Sequence, residues 1–150
     1  MSVKDSITRY CLYQPRSHKE VKNKLYELGC TTPEVEENII LLIEKDLLNE
    51  ERFARAIARG KFRMKQWGKK KIVEQLKQQE VSDYCIKKAL TEIDYDDYLE
   101  TAKKLALKKQ HELRTEKNQY SKKQKIYRYL AQKGYEAEII NTIVNETLKQ

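Results

Sequence analysis

Three windows of this chain repeat one another, and that repetition limits the fold more than any other feature. Written together they are EVKNKLYELGC (20–30), KIVEQLKQQEV (71–81) and KIYRYLAQKGY (125–135). Val21, Ile72 and Ile126 coincide, as do Leu25, Leu76 and Leu130. Gly29 aligns with Glu80 and Gly134, and Cys30 with Val81 and Tyr135. Val35, Ile86 and Ile140 follow five residues later. Ile72 lies 51 residues after Val21, and Ile126 lies 54 after Ile72, so the period is near 50, the mark of a tandem repeat. A unit of that length buries too little apolar surface alone, so neighbours must stack. The expected fold is all-α: an elongated solenoid of three tandem three-helix repeats, at 1–48 (first helix short), 49–94 and 95–150.

Local signals agree. With 4 Gly and 2 Pro in 150 residues, there are too few breakers for a turn-rich β protein. A short opening helix is expected around Ile7, Tyr10 and Cys11. Ser17-His18-Lys19-Glu20 spells a capping box, Val21, Leu25 and Leu28 follow at helical spacing, and Gly29 ends the helix. Thr32 as N-cap with Pro33 at the first helical position opens the next, whose stripe is Val35, Ile39, Leu42, Ile43 and Leu47. Asn49 caps a helix carrying Phe53, Ala54, Ile57, Ala58 and Met64, and Lys69 to Gln79 carries Ile72 and Leu76. Ser82 and Asp94 cap two more, Ser121-Lys122-Lys123-Gln124 reads as a second capping box, and Ala137 to Leu148 closes the chain. About nine helices and no strand result. Glu80 stands where the flanking repeats have Gly, so the middle helix is expected to stop by another route, helped by the Ser82 cap.

The chain carries 31 Lys+Arg against 23 Asp+Glu, a net charge of +8. The signs are segregated. From Glu34 to Glu51 seven acids face Lys45 alone. From Arg59 to Lys71 seven bases occur with no acid. From Lys103 to Arg128 ten bases face Glu112 and Glu116, a block read chiefly as solvated helix surface. Such polarity predicts at least one basic face. No apolar run approaches the roughly 18 residues of a membrane span, and the N-terminus lacks an apolar signal region, so a cytoplasmic protein with no membrane partner is expected.

Enzyme chemistry finds no support. Cys11, Cys30 and Cys85 are odd in number and form no CxxC pair, which suits small buried thiols. His18 and His111 lack partners at zinc spacing. Gly68-Lys69-Lys70 lacks the spacing and the Ser/Thr of a phosphate-binding loop. Asp94, Asp96 and Asp97 sit at a helix start, where carboxylates cap N–H groups, so no metal and no cofactor are expected. The ten tyrosines read as helix packing with hydroxyls at the surface.

The segment with functional character is Arg59 to Lys71. Arg59, Lys61, Arg63, Lys65, Lys69, Lys70 and Lys71 alternate with Phe62 and Trp67. Cations interleaved with aromatics can neutralise phosphates and stack a base. Trp67 also reads as a packing anchor between helices. A sequence-independent nucleic-acid-binding helical module accounts for this much of the chain.

Arg16-Ser17-His18-Lys19-Glu20-Val21, with Leu25 and Gly29, resembles the first-repeat signature of the bacterial RecX regulatory proteins. Leu47-Leu48-Asn49-Glu50-Glu51-Arg52-Phe53-Ala54 is similar to that family's best motif, and Gly68, Ile72 and Leu76 fit its second repeat. The sequence departs from the family at Glu80 and at Asp46-Leu47, where glycines are common. The resemblance implies a non-enzymatic regulator of DNA repair and the SOS response, and a monomer is expected. Its partners would be the RecA recombinase filament and single-stranded DNA, and it would restrain ATP hydrolysis, strand exchange and co-protease activity. No short family motif defines a contact site; the Arg59–Lys71 assignment rests on the residues alone.

Overall fold

A computed structural model describes residues 1–148. Nine helices and no strand occur among them: α1 (Val3–Tyr13), α2 (His18–Glu27), α3 (Thr32–Glu44), α4 (Glu50–Lys65), α5 (Lys69–Gln78), α6 (Asp83–Leu90), α7 (Tyr95–Glu112), α8 (Gln119–Lys133) and α9 (Ala137–Thr147). None is long and apolar enough to cross a membrane. The chain divides into two compact units, one of Met1–Ile57 with Gln75–Leu90, the other of Ala58–Glu74 with Thr91–Gln150.

The repeat positions form the interior. Val21, Leu25, Ile72, Leu76, Ile126 and Leu130 are fully buried, and Val35, Ile86 and Ile140 nearly so. In the first unit, Ile7 and Cys11 of α1, Val21 and Leu25 of α2, and Val35, Ile39 and Leu42 of α3 make one cluster with Leu48. In the second, α7, α8 and α9 pack on one another. The stripes differ from expectation at a few positions. Met64 is 85% exposed, and Phe62, two residues earlier, is buried instead against Tyr98, with ring centroids 5.9 Å apart. Two residues turn an α-helix by about 200°, so only one of the pair can face inward. Ile43 is exposed as well.

Most caps match the sequence signals. Ser17 and Glu20 form a reciprocal capping box, and Asn49, Ser82 and Asp94 each accept the N–H three residues on. Two starts are corrected. Thr31, not Thr32, caps α3, and Pro33 is its second residue. Thr31-Thr32-Pro33-Glu34 is itself a capping box: the Glu34 carboxylate accepts the Thr31 N–H at 2.9 Å, which also holds that carboxyl below its ordinary range. At α8 the cap is Asn118, whose Oδ1 accepts the Ser121 N–H at 3.0 Å. Asn caps as well as Ser, and starting three residues earlier adds a turn of backbone bonds.

The turns after α2, α5 and α8 share one hydrogen-bond pattern. The N–H groups of Cys30, Val81 and Tyr135 reach back to the carbonyls of Leu25, Leu76 and Leu130, each at 3.1 Å. The N–H groups of Gly29, Glu80 and Gly134 reach Tyr26, Lys77 and Ala131 at 2.9–3.0 Å. This is the Schellman closure, which needs a left-handed residue. Gly29 and Gly134 supply it at φ +93° and +100°. Glu80 does not end its helix by another route, as the sequence suggested; it takes φ +60° itself. Asp46 and Gln66 do the same after α3 and α4. For an L-residue that conformation costs about 1–2 kcal/mol, which the buried flanking contacts outweigh.

Candidate nucleic-acid interface

The Arg59–Lys71 segment lies wholly in the second unit, on the last turns of α4, the turn at Gln66–Gly68 and the first turn of α5. The turn is held from beneath by the α8–α9 connection. Gly68 donates its N–H to the Lys133 carbonyl at 2.7 Å, and Lys70 donates to the Gly134 carbonyl at 2.9 Å. A Cβ on Gly68 would lie 2.3 Å from the Gly134 carbonyl and the Tyr135 nitrogen, so this contact requires glycine. The Tyr135 hydroxyl donates to the Gln66 carbonyl at 2.9 Å.

Tyr98, from α7, completes the joint. Its ring packs 5.0 Å from that of Tyr135, and its oxygen accepts the Lys69 N–H at 2.8 Å while donating to Glu136. Burial, then the bond to Glu136, pushes this phenol far above its ordinary value, so it remains a neutral donor. Burial does the same to Tyr135. These two hydroxyls are therefore interior, a departure from the surface placement expected for tyrosines.

The basic residues do not form a uniform face. Arg63, Lys65 and Lys70 are exposed; Arg59, Lys61, Trp67, Lys69 and Lys71 are half-buried. Along α4, Arg59 and Arg63 are one turn apart, and Lys61 and Lys65 point about 200° away from them. Arg59 donates to the Glu92 carboxylate at 2.5 Å, which leaves its charge largely compensated. Trp67 gathers two of the lysines. The Lys61 and Lys71 ammoniums lie 4.9 and 4.7 Å from its ring centroid, and Lys69 lies 5.0 Å from that of Tyr98. Trp67 is thus a half-exposed ring covered by two cations, and Phe62 is core and unavailable for stacking. Lys133 joins the cluster, its ammonium 3.3 Å from the Lys65 carbonyl. No sequence signal marked Lys133, because its neighbour here is 68 positions away.

Two electrostatic facts shape what the cluster can do. Three consecutive lysines occupy the first turn of α5, the positive end of the helix dipole, with no acid there. That placement is unfavourable by about 0.3–1 kcal/mol per charge. The first two α5 N–H groups are already taken by Tyr98 and Gly134, so the helix terminus offers them to no anion. An anion here meets side-chain cations in place of those two N–H groups. No group of three or more His, Cys, Asp or Glu residues able to hold a metal ion occurs among the described residues.

Comparison with known proteins gives a consistent result. The family model described as "RecX, second three-helix domain" matches residues 49–90, and "RecX, third three-helix domain" matches 96–144. A protein named Regulatory protein RecX from Clostridium perfringens (strain 13) is 35% identical over 130 residues, covering 86% of this chain and 60% of that protein. Its namesake from Clostridium botulinum (strain Eklund 17B) is 33% identical over 134 residues, covering 89% and 62%. The chain thus spans about three-fifths of the length of these relatives. The crystal structure of RecX from Lactobacillus salivarius superimposes with a TM-score of 0.88 at 28% identity, covering 97% of this chain and 94% of that one.

Proposed function

Because this chain belongs to the RecX family of regulatory proteins, we propose that it is a non-enzymatic regulator of the RecA recombinase. In this reading it binds RecA and its single-stranded DNA filament and inhibits ATPase, strand exchange and co-protease activity. It would act as a cytoplasmic monomer in the control of DNA repair, with three repeats at 1–48, 49–94 and 95–150. Phosphates or the filament would be met by Lys61, Arg63, Lys65, Trp67, Lys69, Lys70 and Lys71, with Arg59 at the edge. The observation that carries the contact assignment is the run Lys69-Lys70-Lys71 at the positive end of α5. It weakens the helix, and although Lys69 and Lys71 lie over the Tyr98 and Trp67 rings, no carboxylate pairs with the run among the described residues, so its charge is open to an outside anion.

The test is the ATPase rate of RecA filaments preassembled on single-stranded DNA, titrated with this protein. Inhibition well below one protein per RecA is expected. The variant Lys69→Glu/Lys70→Glu/Lys71→Glu should lose inhibition while keeping its helical circular dichroism, since acids at a helix start are favourable. Normal inhibition by that variant would make the cluster an idle solvated surface. Absence of any ATPase effect from the wild type, with DNA binding retained, would favour a general nucleic-acid-binding module.

A further inference from the structure

A second basic site lies elsewhere in the same unit, between α7 and α8. It is a solvent-open cleft of about 210 Å³, lined by Lys109 and Leu113 at the end of α7 and by Lys125, Arg128, Tyr129 and Gln132 of α8. Lys125, Tyr129 and Gln132 recur at helical spacing, which puts them on one face. The Lys109 ammonium lies 5.2 Å from the Tyr129 ring centroid. Along the chain these lysines read only as solvated surface; the fold brings them to one aromatic ring.

Three features define the ligand. Arg128 carries no ion pair among the described residues, while Lys109 and Lys125 are shared with carboxylates. Lys109 meets Glu112 at 3.5 Å and Lys125 meets Glu116 at 2.8 Å, partly exposed ion pairs of a kind that are weak and salt-screened. Arg128 is exposed, and its planar fork matches phosphate oxygens. The platform is aromatic, and Gln132 beside it offers both donors and an acceptor. The volume falls below the roughly 300–1,000 Å³ of enclosed small-molecule sites, which suits one unit of a polymer lying across the opening. An acidic peptide would use the cations and leave the ring idle.

We propose that this cleft binds a segment of single-stranded nucleic acid, with Lys109, Lys125 and Arg128 on phosphate oxygens and a base stacked on Tyr129. The proposal deepens the functional reading above and rests on its single-stranded DNA partner. Helix α8 links the two basic sites, for Lys133 reaches the Lys65 carbonyl beside the Trp67 cluster. From Arg128 to Lys133 the helix advances roughly 7–8 Å at about 1.5 Å per residue and turns through about 140°.

Fluorescence anisotropy of a fluorescein-labelled oligothymidylate with the full chain tests this. Tyr129→Ala should weaken binding about five-fold or more, and Tyr129→Phe should stay within about two-fold of wild type, since stacking needs the ring and not the hydroxyl. Arg128→Ala should reduce the slope of log affinity against log salt by about 0.7, the value for one single-strand phosphate contact. Wild-type affinity and slope in both alanine variants, with normal circular dichroism, would overturn the proposal. So would binding of a polyglutamate peptide without binding of the oligonucleotide, which would make the cleft an acidic-peptide site. The two readings fail separately. If the wild type restrains RecA ATPase while Tyr129→Ala binds oligonucleotide normally, the cleft falls and the regulator stands. If the wild type leaves RecA untouched while Tyr129→Ala loses oligonucleotide, the regulator falls and the cleft stands.

Discussion

Gly29 and Gly134 end equivalent helices with the same hydrogen bonds and nearly the same φ, yet they do different work. A Cβ built on Gly29 meets nothing within 4 Å. One built on Gly134 lies 2.4 Å from the Lys71 Cβ and 2.7 Å from the Lys71 nitrogen. Glycine at 29 serves only the left-handed backbone. Glycine at 134 serves that and the approach of another backbone. Glu80, at the matching place in the middle repeat, shows that the turn itself tolerates a side chain. The repeat therefore preserves a local closure, and one copy has been recruited to seat the basic cluster.

Substitutions can break this contrast, beginning with the largest effect. Gly68→Ala and Gly134→Ala should each cost about 3 kcal/mol in urea unfolding, because backbone has to move at both. A loss below 1 kcal/mol would mean that the joint is loose. Tyr98→Phe should cost about 1–3 kcal/mol by stranding the Lys69 N–H and the Glu136 carboxylate. It should also flatten the alkaline side of the stability curve. The folded phenol binds its proton more tightly than the unfolded one, so its contribution is full below about pH 10 and declines as pH rises above that. Gly29→Ala should cost only about 1–2 kcal/mol, the backbone term alone. Glu80→Gly should stabilise the protein by up to about 1 kcal/mol by relieving that term. Equal losses for Gly29→Ala and Gly134→Ala would erase the distinction.

The sequence carried the repeat frame because Val21, Ile72 and Ile126, and the leucines four residues after them, occupy the same buried place in each repeat. Caps were legible where one polar residue competed for the role, as at Ser17. They were misplaced at Thr31 and Asn118, where two capping residues stand within three positions and only the backbone decides between them. Phe62 reads as part of the basic patch because its flanking cations dominate the pattern, although helical spacing from Ala54 and Ala58 runs inward. The α7–α8 cleft was hidden for another reason. Lys109 and Arg128 are 19 residues apart, and charge counting along the chain cannot distinguish scattered lysines from converging ones.

The closed N-terminus of α5 bears on motion. A phosphate gripped by backbone N–H groups is fixed in one place, because those donors cannot follow it. With those groups occupied by Tyr98 and Gly134, the hold falls to ammoniums on flexible four-carbon stems. Such groups pass from one phosphate to the next with little rearrangement, and electrostatic contacts of this kind permit sliding and hopping. On the strand of repeating phosphates proposed above, such a cluster would set no register and would let the protein travel along its track.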